Sequence, residues 1–587
     1  MLLAERGTPV APVRAGANFS NDNGDFKGAN MKQPVYRVIF SGVIAVLTLA
    51  ASFTVSAQGR MSARAQEMLE KHPHEMVDLI VTYRQRPGAN DRARVKANGG
   101  ELRHEFQLIP GHAIRVPAHA VHALENNPNV ERISYDEPVD LAALATLEDG
   151  LYTVTSASTS IVASLPSSVS AGLPGLDAVP YTGAGVKVAV LDSGFKKHND
   201  LRPLHTLSLV GKNGDDANGH GNHVATIISG DGENSAGSYR GVAPDADVVT
   251  VRVLDEAGQG LSSDVIAGLD DVLLLNQQFW HIRVVNMSLG HPVQESADTD
   301  PLVQAVEAIW DSGVVVVCSA GNAGRDGYGT ITSPGNSRKV ITVGSVTTWG
   351  DSDAGNDIVS TFSSRGPTRG DYFVKPDLIT HGNRVIAAKA VRSYLESNHP
   401  ERLITATGSR SADYYQLSGT SMAAAVVTGA VALMLEKDPG LTPDTIKARL
   451  MRSAAKVDFA DVFATGAGLL DIQAALSDTG SVDQAPSPRV LRDDVNGKLG
   501  FEETAVLWGD QQWALGYLWS DGYLWSDGGV DADGYLWSDG YLWSDGYLWS
   551  DGYLWSDGYL WSDGYLWSDG YLWSDGYLWS DGELVDD

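Results

Sequence analysis

Five short apolar runs rich in β-branched residues recur between residues 176 and 480: Val186–Leu191, Val248–Val253, Val284–Met287, Val314–Cys318 and Val340–Val343. Runs of this kind suit strands buried on both faces, the condition of a parallel sheet. Parallel neighbours need a long crossover between them. The helical stretches Ser262–Gln277, Pro301–Asp311, Ser421–Lys437 and Pro443–Ala454 alternate with the runs, and Pro443 directly after Thr442 is a good helix start. The pattern predicts an α/β domain with a doubly wound, mostly parallel sheet.

Three segments of this region concentrate groups able to do chemistry. Val188-Ala-Val-Leu-Asp192-Ser-Gly194 ends an apolar run on a carboxylate, which places Asp192 at the carboxyl end of a central strand, where open α/β sheets bind ligands. Asn218-Gly-His220-Gly-Asn-His223-Val-Ala sets His220 between two glycines, just before the apolar stretch Val224–Ser229. Ser418-Gly-Thr-Ser421-Met-Ala-Ala opens the most apolar helix of the domain, whose positive end favours negative charge developing at Ser421. A serine hydroxyl is a poor nucleophile until a histidine takes its proton and a carboxylate holds that histidine. The chain order Asp, His, Ser is one of three in which this constellation is found. A fourth segment, Cys318-Ser-Ala-Gly321-Asn322-Ala-Gly324, ends a strand-like run on an asparagine whose amide suits an oxyanion, together with the Ser421 N–H.

These four segments resemble the motifs of the subtilisin-like serine peptidases, the subtilases of the S8 class, over about residues 176–480. The resemblance implies a serine endopeptidase with Asp192, His220 and Ser421 as its catalytic groups and Asn322 in the oxyanion hole. It implies that Ser288, Leu289 and Gly290 pair with substrate backbone, and that Ser319, Ala320 and Gly321 wall the pocket for the residue before the cut. Residues 76–139 are similar to the family's inhibitory propeptide of the I9 type. That implies a zymogen, its own propeptide acting as inhibitor, matured between Val139 and about Gly175. Protein or peptide substrates follow, no organic cofactor is required, and structural Ca²⁺ is common in the family, although no ligand set here is assigned to it. Activity is expected to fall as His220 protonates below about pH 6–7.

The chain also departs from the family's pattern. Ala425 and Val426 stand where a Pro and a His are usual behind the serine, Thr226 replaces a Gly, and Asn222 replaces a Thr. Thr380-His381-Gly382 replaces an Ala-Pro-Gly, and a stretch at about 390–412 is inserted before Ser418. None of these changes removes a catalytic group.

Other readings of the same residues carry less. His220 and His223 are three apart, as in half a metal site, yet no third ligand accompanies them. Cys318 beside the pocket wall reads as a buried strand thiol, since no histidine is placed for it. Gly-Thr-Ser421-Met-Ala is close to the elbow of α/β-hydrolases, but there both partners follow the serine, and here both precede it. A rival from another class is a non-catalytic surface protein that uses the same fold as a scaffold.

Around this domain the chain is segmented. Residues 76–139 read as strand, helix, two strands, helix, strand: Met76–Tyr83, then 90–98, Glu101–Gln107, His112–Val116, Ala118–Glu125 and Val130–Tyr135. Met31-Lys32 to Arg37 is a basic leader before the apolar run Val38–Val55, and Val55-Ser56-Ala57 offers a signal-peptidase site before Gln58. This predicts export to the cell surface, periplasm or medium without a retained membrane span, with Met31 as the true start and 1–30 as a mis-assigned extension. Residues 140–175 read as a linker or processing region. The single cysteine rules out an internal disulfide, and a net charge of −30 argues against nucleic acid as a partner.

Residues 481–587 form an acidic tail. Tyr-Leu-Trp-Ser-Asp-Gly occurs ten times between Tyr517 and Gly582, interrupted once by Gly528–Asp533. Asp-Gly is a favoured two-residue hairpin turn, so a meander of very short hairpins is one expectation and a disordered tail the other. Surface attachment, a Ca²⁺-assisted repeat and an aromatic platform for substrate stay open as its uses, and its partner is unassigned.

Overall fold

The computed structural model describes residues 60–141, 176–348, 357–457, 462–493 and 498–502, together with the backbone of the tail strands between 517 and 586. The leader, most of the predicted linker and the corners of the repeat lie outside the described residues.

The apolar runs pair as expected. An eight-stranded sheet takes the order 358–359, 341–347, 315–319, 282–287, 187–192, 247–252, 205–208, with 378–381 also on 341–347. All its pairings are parallel except that of 358–359. The chain leaves Lys187–Asp192 to build one side of the sheet and then crosses to Ile282–Met287 on the other. The switch point therefore lies between these two strands, where the carboxyl ends of the sheet open a crevice. The helix Thr420–Lys437 packs across the sheet with Val426 and Val427 wholly buried, and is long and apolar enough to cross a membrane by composition alone. Its burial here is that of a core helix.

Residues 60–141 form a separate hydrophobic cluster under a four-stranded antiparallel sheet of order 101–105, 111–117, 76–83, 130–135. The predicted element order is present, with the helix Ala63–Lys71 added in front, capped by Ser62. This unit lies against the helix Ser262–Gln277. The Asp136 carboxylate accepts from Ser263 N at 2.9 Å and Oγ at 2.6 Å in its first turn, and Asp270 accepts from the Gln107 and Leu108 N–H groups at 2.9 and 2.7 Å.

The tail corrects the hairpin expectation. Each Tyr-Leu-Trp-Ser segment is a strand, but it pairs in parallel and in register with strands eighteen residues away in sequence, Tyr517 with Tyr535 and Trp519 with Trp537. Three four-stranded parallel sheets result. Three hexapeptides make one coil, the signature of a parallel β-solenoid. The interruption is no break: Gly529–Ala532 forms a strand and pairs with Tyr547–Ser550. A hairpin at each two-residue link would reverse the chain and set unlike residues opposite each other. Keeping one sense stacks identical residues in ladders.

Candidate active site

The site is assembled by backbone proximity that only glycine allows. A Cβ on Gly221 would lie 2.2 Å from the Gly194 carbonyl oxygen, so the His220 helix can start hard against the end of strand Lys187–Asp192. The helix runs His220–Ser229, starting at the histidine itself, four residues ahead of the apolar stretch. His220 Nδ1 lies 2.9 Å from both Asp192 carboxylate oxygens, and both side chains are buried. The Ser193 N–H also donates to Asp192 Oδ1 at 2.7 Å, which fixes the carboxylate plane.

Ser421 is the second residue of its helix and is 3% exposed. Its hydroxyl donates to the Ser288 carbonyl at 3.3 Å, and no hydrogen bond joins it to His220. Catalytic contacts of this kind often tighten only with substrate bound, and rotation about χ1 redirects a serine hydroxyl. Asn322 is oriented by its neighbour: its Oδ1 accepts from Thr420 N at 2.9 Å and Thr420 Oγ1 at 3.1 Å, so the NH₂ end of the amide is turned the other way.

The predicted substrate strand is engaged by the chain itself. Gly290 and Asp140 exchange both backbone hydrogen bonds at 3.0 Å. On the other side, Pro138, Val139 and Asp140 pair antiparallel with Leu261, Gly260 and Gln259, and Leu141 N–H donates to the Gly258 carbonyl at 3.1 Å. Residues 138–141 therefore run as the middle strand between two edges, with Val139 and Leu141 buried. Ser288 and Leu289 lie on the same edge as Gly290, while Ser319 ends the neighbouring sheet strand and Ala320 and Gly321 follow it, all six buried. Between the two walls stands Thr332. A Cβ on Gly290 would lie 3.0 Å from its Oγ1, and one on Gly321 would lie 2.9 Å from its Cγ2.

Two bland readings gain a physical basis. Burial pushes the Cys318 thiol up to about 12, which keeps it protonated. His223 Nε2 faces the Val385 and Tyr415 carbonyls at 3.2 and 3.0 Å, and burial followed by the charge of His220 lowers its pKa to about 3, so it stays a neutral packed ring. Among the described residues no group of three or more His, Cys, Asp or Glu stands together as a metal site.

Sequence reasoning missed Thr332, the second edge Gln259–Leu261 and the buried Asp216. Asp216 precedes a glycine-started helix by a few residues, a helix-capping signal that a search for catalytic motifs passes over.

Residues 183–469 match the family model of the subtilase family, Peptidase_S8. Serine protease AprX of Bacillus subtilis (strain 168) is 38% identical over 300 residues, covering 50% of this chain and 66% of that protein. An alkaline protease of Alkalihalobacillus alcalophilus is 28% identical over 458 residues, covering 76% of this chain and all of that protein. The crystal structure of fervidolysin from Fervidobacterium pennivorans, described as a keratinolytic enzyme related to subtilisin, shares the fold with a TM-score of 0.52 at 23% identity, over 70% of this chain and 62% of that one. Subtilisin DY of Bacillus licheniformis is 33% identical over 303 residues, 50% of this chain and 92% of that protein. With Asp192 at the switch point of a parallel sheet and hydrogen-bonded to His220, and with 33% identity over 92% of subtilisin DY, this chain belongs to the subtilase family.

Proposed function

We propose that the chain is an exported serine endopeptidase made as a self-processing zymogen, in which residues 60–141 inhibit the enzyme until they are cut away. The observation that carries this is the strand 138–141, held on both edges of the crevice and directed at Ser421. Its antiparallel register sets Asp140 against Gly290. Ser288 stands two residues before Gly290 on the same edge, and its carbonyl is the one bonded by Ser421 Oγ, so the bond to be cut is expected two residues beyond Asp140. The first cut is then between Ala142 and Ala143. An alanine suits a pocket whose base is taken up by Thr332.

The chemistry follows from the groups present. Ser421 Oγ attacks the carbonyl carbon of the scissile bond while His220 Nε2 takes its proton. Asp192 holds the imidazole by Nδ1 and stabilises its positive charge. The oxyanion is met by the Asn322 amide and the Ser421 N–H at the helix start. Collapse expels the amine, which receives the proton from His220 and leaves an acyl-enzyme. Water, deprotonated by the same histidine, then releases the acid and restores Ser421. No cofactor enters these steps; structural Ca²⁺ and export remain parts of the proposal that rest on the family resemblance and on the leader sequence.

The test is expression of the full chain beside Ser421→Ala, followed by N-terminal sequencing and labelling with a serine-directed phosphonate. The expected outcome is a new terminus at Ala143 and a labelled serine in the wild type alone. If both proteins stay joined to residues 60–141 and neither is labelled, the chain is a non-catalytic protein on a peptidase scaffold.

A further inference from the structure

A second carboxylate lies beneath the Asp192–His220 pair. Asp216 is wholly buried, and all its hydrogen-bond partners are donors. Oδ1 accepts from the Gly219 N–H at 2.7 Å and from Ser193 Oγ at 2.9 Å, and Oδ2 accepts from the Asn222 N–H at 2.8 Å. Gly219, the cap of the His220 helix, has no side chain to satisfy the helix's first N–H groups. Asp216 does so from three residues further back.

The Ser193 link closes a ring. Ser193 follows Asp192 in the chain, and its Oγ also accepts from the Gly221 N–H at 2.9 Å. From Asp192 the ring runs through Ser193 to Asp216, through Gly219 and Asn222 to the start of the helix, and through His220 back to the Asp192 carboxylate. Strand end and helix start are held at a fixed separation, independently of the imidazole. The centred placement of Nδ1 over two carboxylate oxygens is the geometry such a clamp maintains.

We propose that Asp216 is a positioning residue for this reaction, acting through Ser193 and the helix start to keep His220 in line with Asp192. The proposal rests on the peptidase reading above. Burial raises the Asp216 carboxyl pKa, and the Gly219 and Asn222 N–H groups oppose that rise. An amide at this position would face two backbone N–H groups and a hydroxyl with one oxygen and an N–H of its own.

The test uses the full chain with Asp216→Asn and Ser193→Ala, concentrations set by active-site titration. The expected result for Asp216→Asn is a kcat lower by roughly 10- to 100-fold, with KM within about twofold. The low-field proton resonance of the His220–Asp192 hydrogen bond shifts or is lost. Ser193→Ala moves both readouts the same way by less. A titrated Asp216→Asn with wild-type kcat and an unchanged resonance, whatever its melting temperature, overturns the proposal. Should that variant fail to fold, an unchanged kcat and resonance in Ser193→Ala does the same. An inactive, unlabelled wild type sinks the peptidase reading instead, and the resonance still reports on Asp216.

Discussion

Thr332 shows how one side chain can set what a cleft accepts. It is half-buried, in contact range of both proposed pocket walls, and its N–H and Oγ1 both donate to the Ala320 carbonyl, at 3.1 and 3.4 Å, which orients the side chain. In the proposed pocket, its methyl and hydroxyl would take up space that a long side chain before the cut needs. Thr332→Gly is expected to raise kcat/KM for peptides with Leu or Phe at that position by roughly tenfold or more relative to Ala, read with a matched set of chromogenic peptides. An unchanged ranking would place the base of the pocket elsewhere. The three groups proposed as catalytic stand out in the sequence because each lies in a glycine-flanked signature. Thr332 does not, because its role depends on Gly290 and Gly321, 42 and 11 residues away in sequence.

Among the elements, the helix carrying Ser421 accounts for its own departures from the family. Without a proline at 425 it runs unbroken from Thr420 to Lys437, and Val426 is absorbed into the apolar core. Thr428 Oγ1 donates to Asn286 Oδ1 at 2.9 Å, Asn286 Nδ2 donates to Ser288 Oγ at 3.0 Å, and Ser288 Oγ donates to the Ser421 carbonyl at 3.0 Å. The buried relay ties the helix to the substrate edge. Thr428→Val keeps the shape and strands Asn286 Oδ1, at a cost of about 1–3 kcal/mol. Denaturant unfolding in a Ser421→Ala background, which prevents self-digestion, measures it, and a change below a few tenths would mean that the relay is idle. The substitutions on the His220 helix are also coupled to its surroundings. Asn222 Nδ2 reaches the Lys196 and Lys389 carbonyls, and Thr226 Oγ1 accepts from the Ala388 N–H at 3.0 Å. Inside the insertion, the Tyr394 and Leu395 N–H groups donate to the Ala217 and Asn218 carbonyls ahead of His220. Long periodic helices were readable to within a residue or two. The short strands Val385–Ala388 and Tyr414–Leu417 were not, since their pairing across the insertion is a tertiary contact. The tail's hexapeptide was plain, yet its pairing partner eighteen residues on depends on three copies closing a coil.

Across the whole molecule, residues 60–141 and the peptidase domain share a seam lined with acids, and its pH response has a definite sign. Burial pushes the Asp136 pKa up to about 6 and that of Glu137 up to about 6, and it raises Asp270 and Glu295 as well. Across the seam Arg132 meets Glu295, and Arg103 and His104 meet Asp264, while within the N-terminal unit Arg64 lies against Glu137 and Arg103 against Asp136. A carboxyl whose pKa is higher docked than free takes up a proton on docking. Its favourable contribution is complete below the free value of about 4 and is lost as pH rises through about 6. The cleaved N-terminal unit is therefore expected to leave the enzyme faster at pH 7.5 than at pH 5, and Asp136→Asn should flatten the difference. Size-exclusion chromatography of the cut but undissociated pair, sampled over time at the two pH values, reads this directly. Faster release at pH 5 would show that the charges across the seam, and not the burial of its acids, govern the separation.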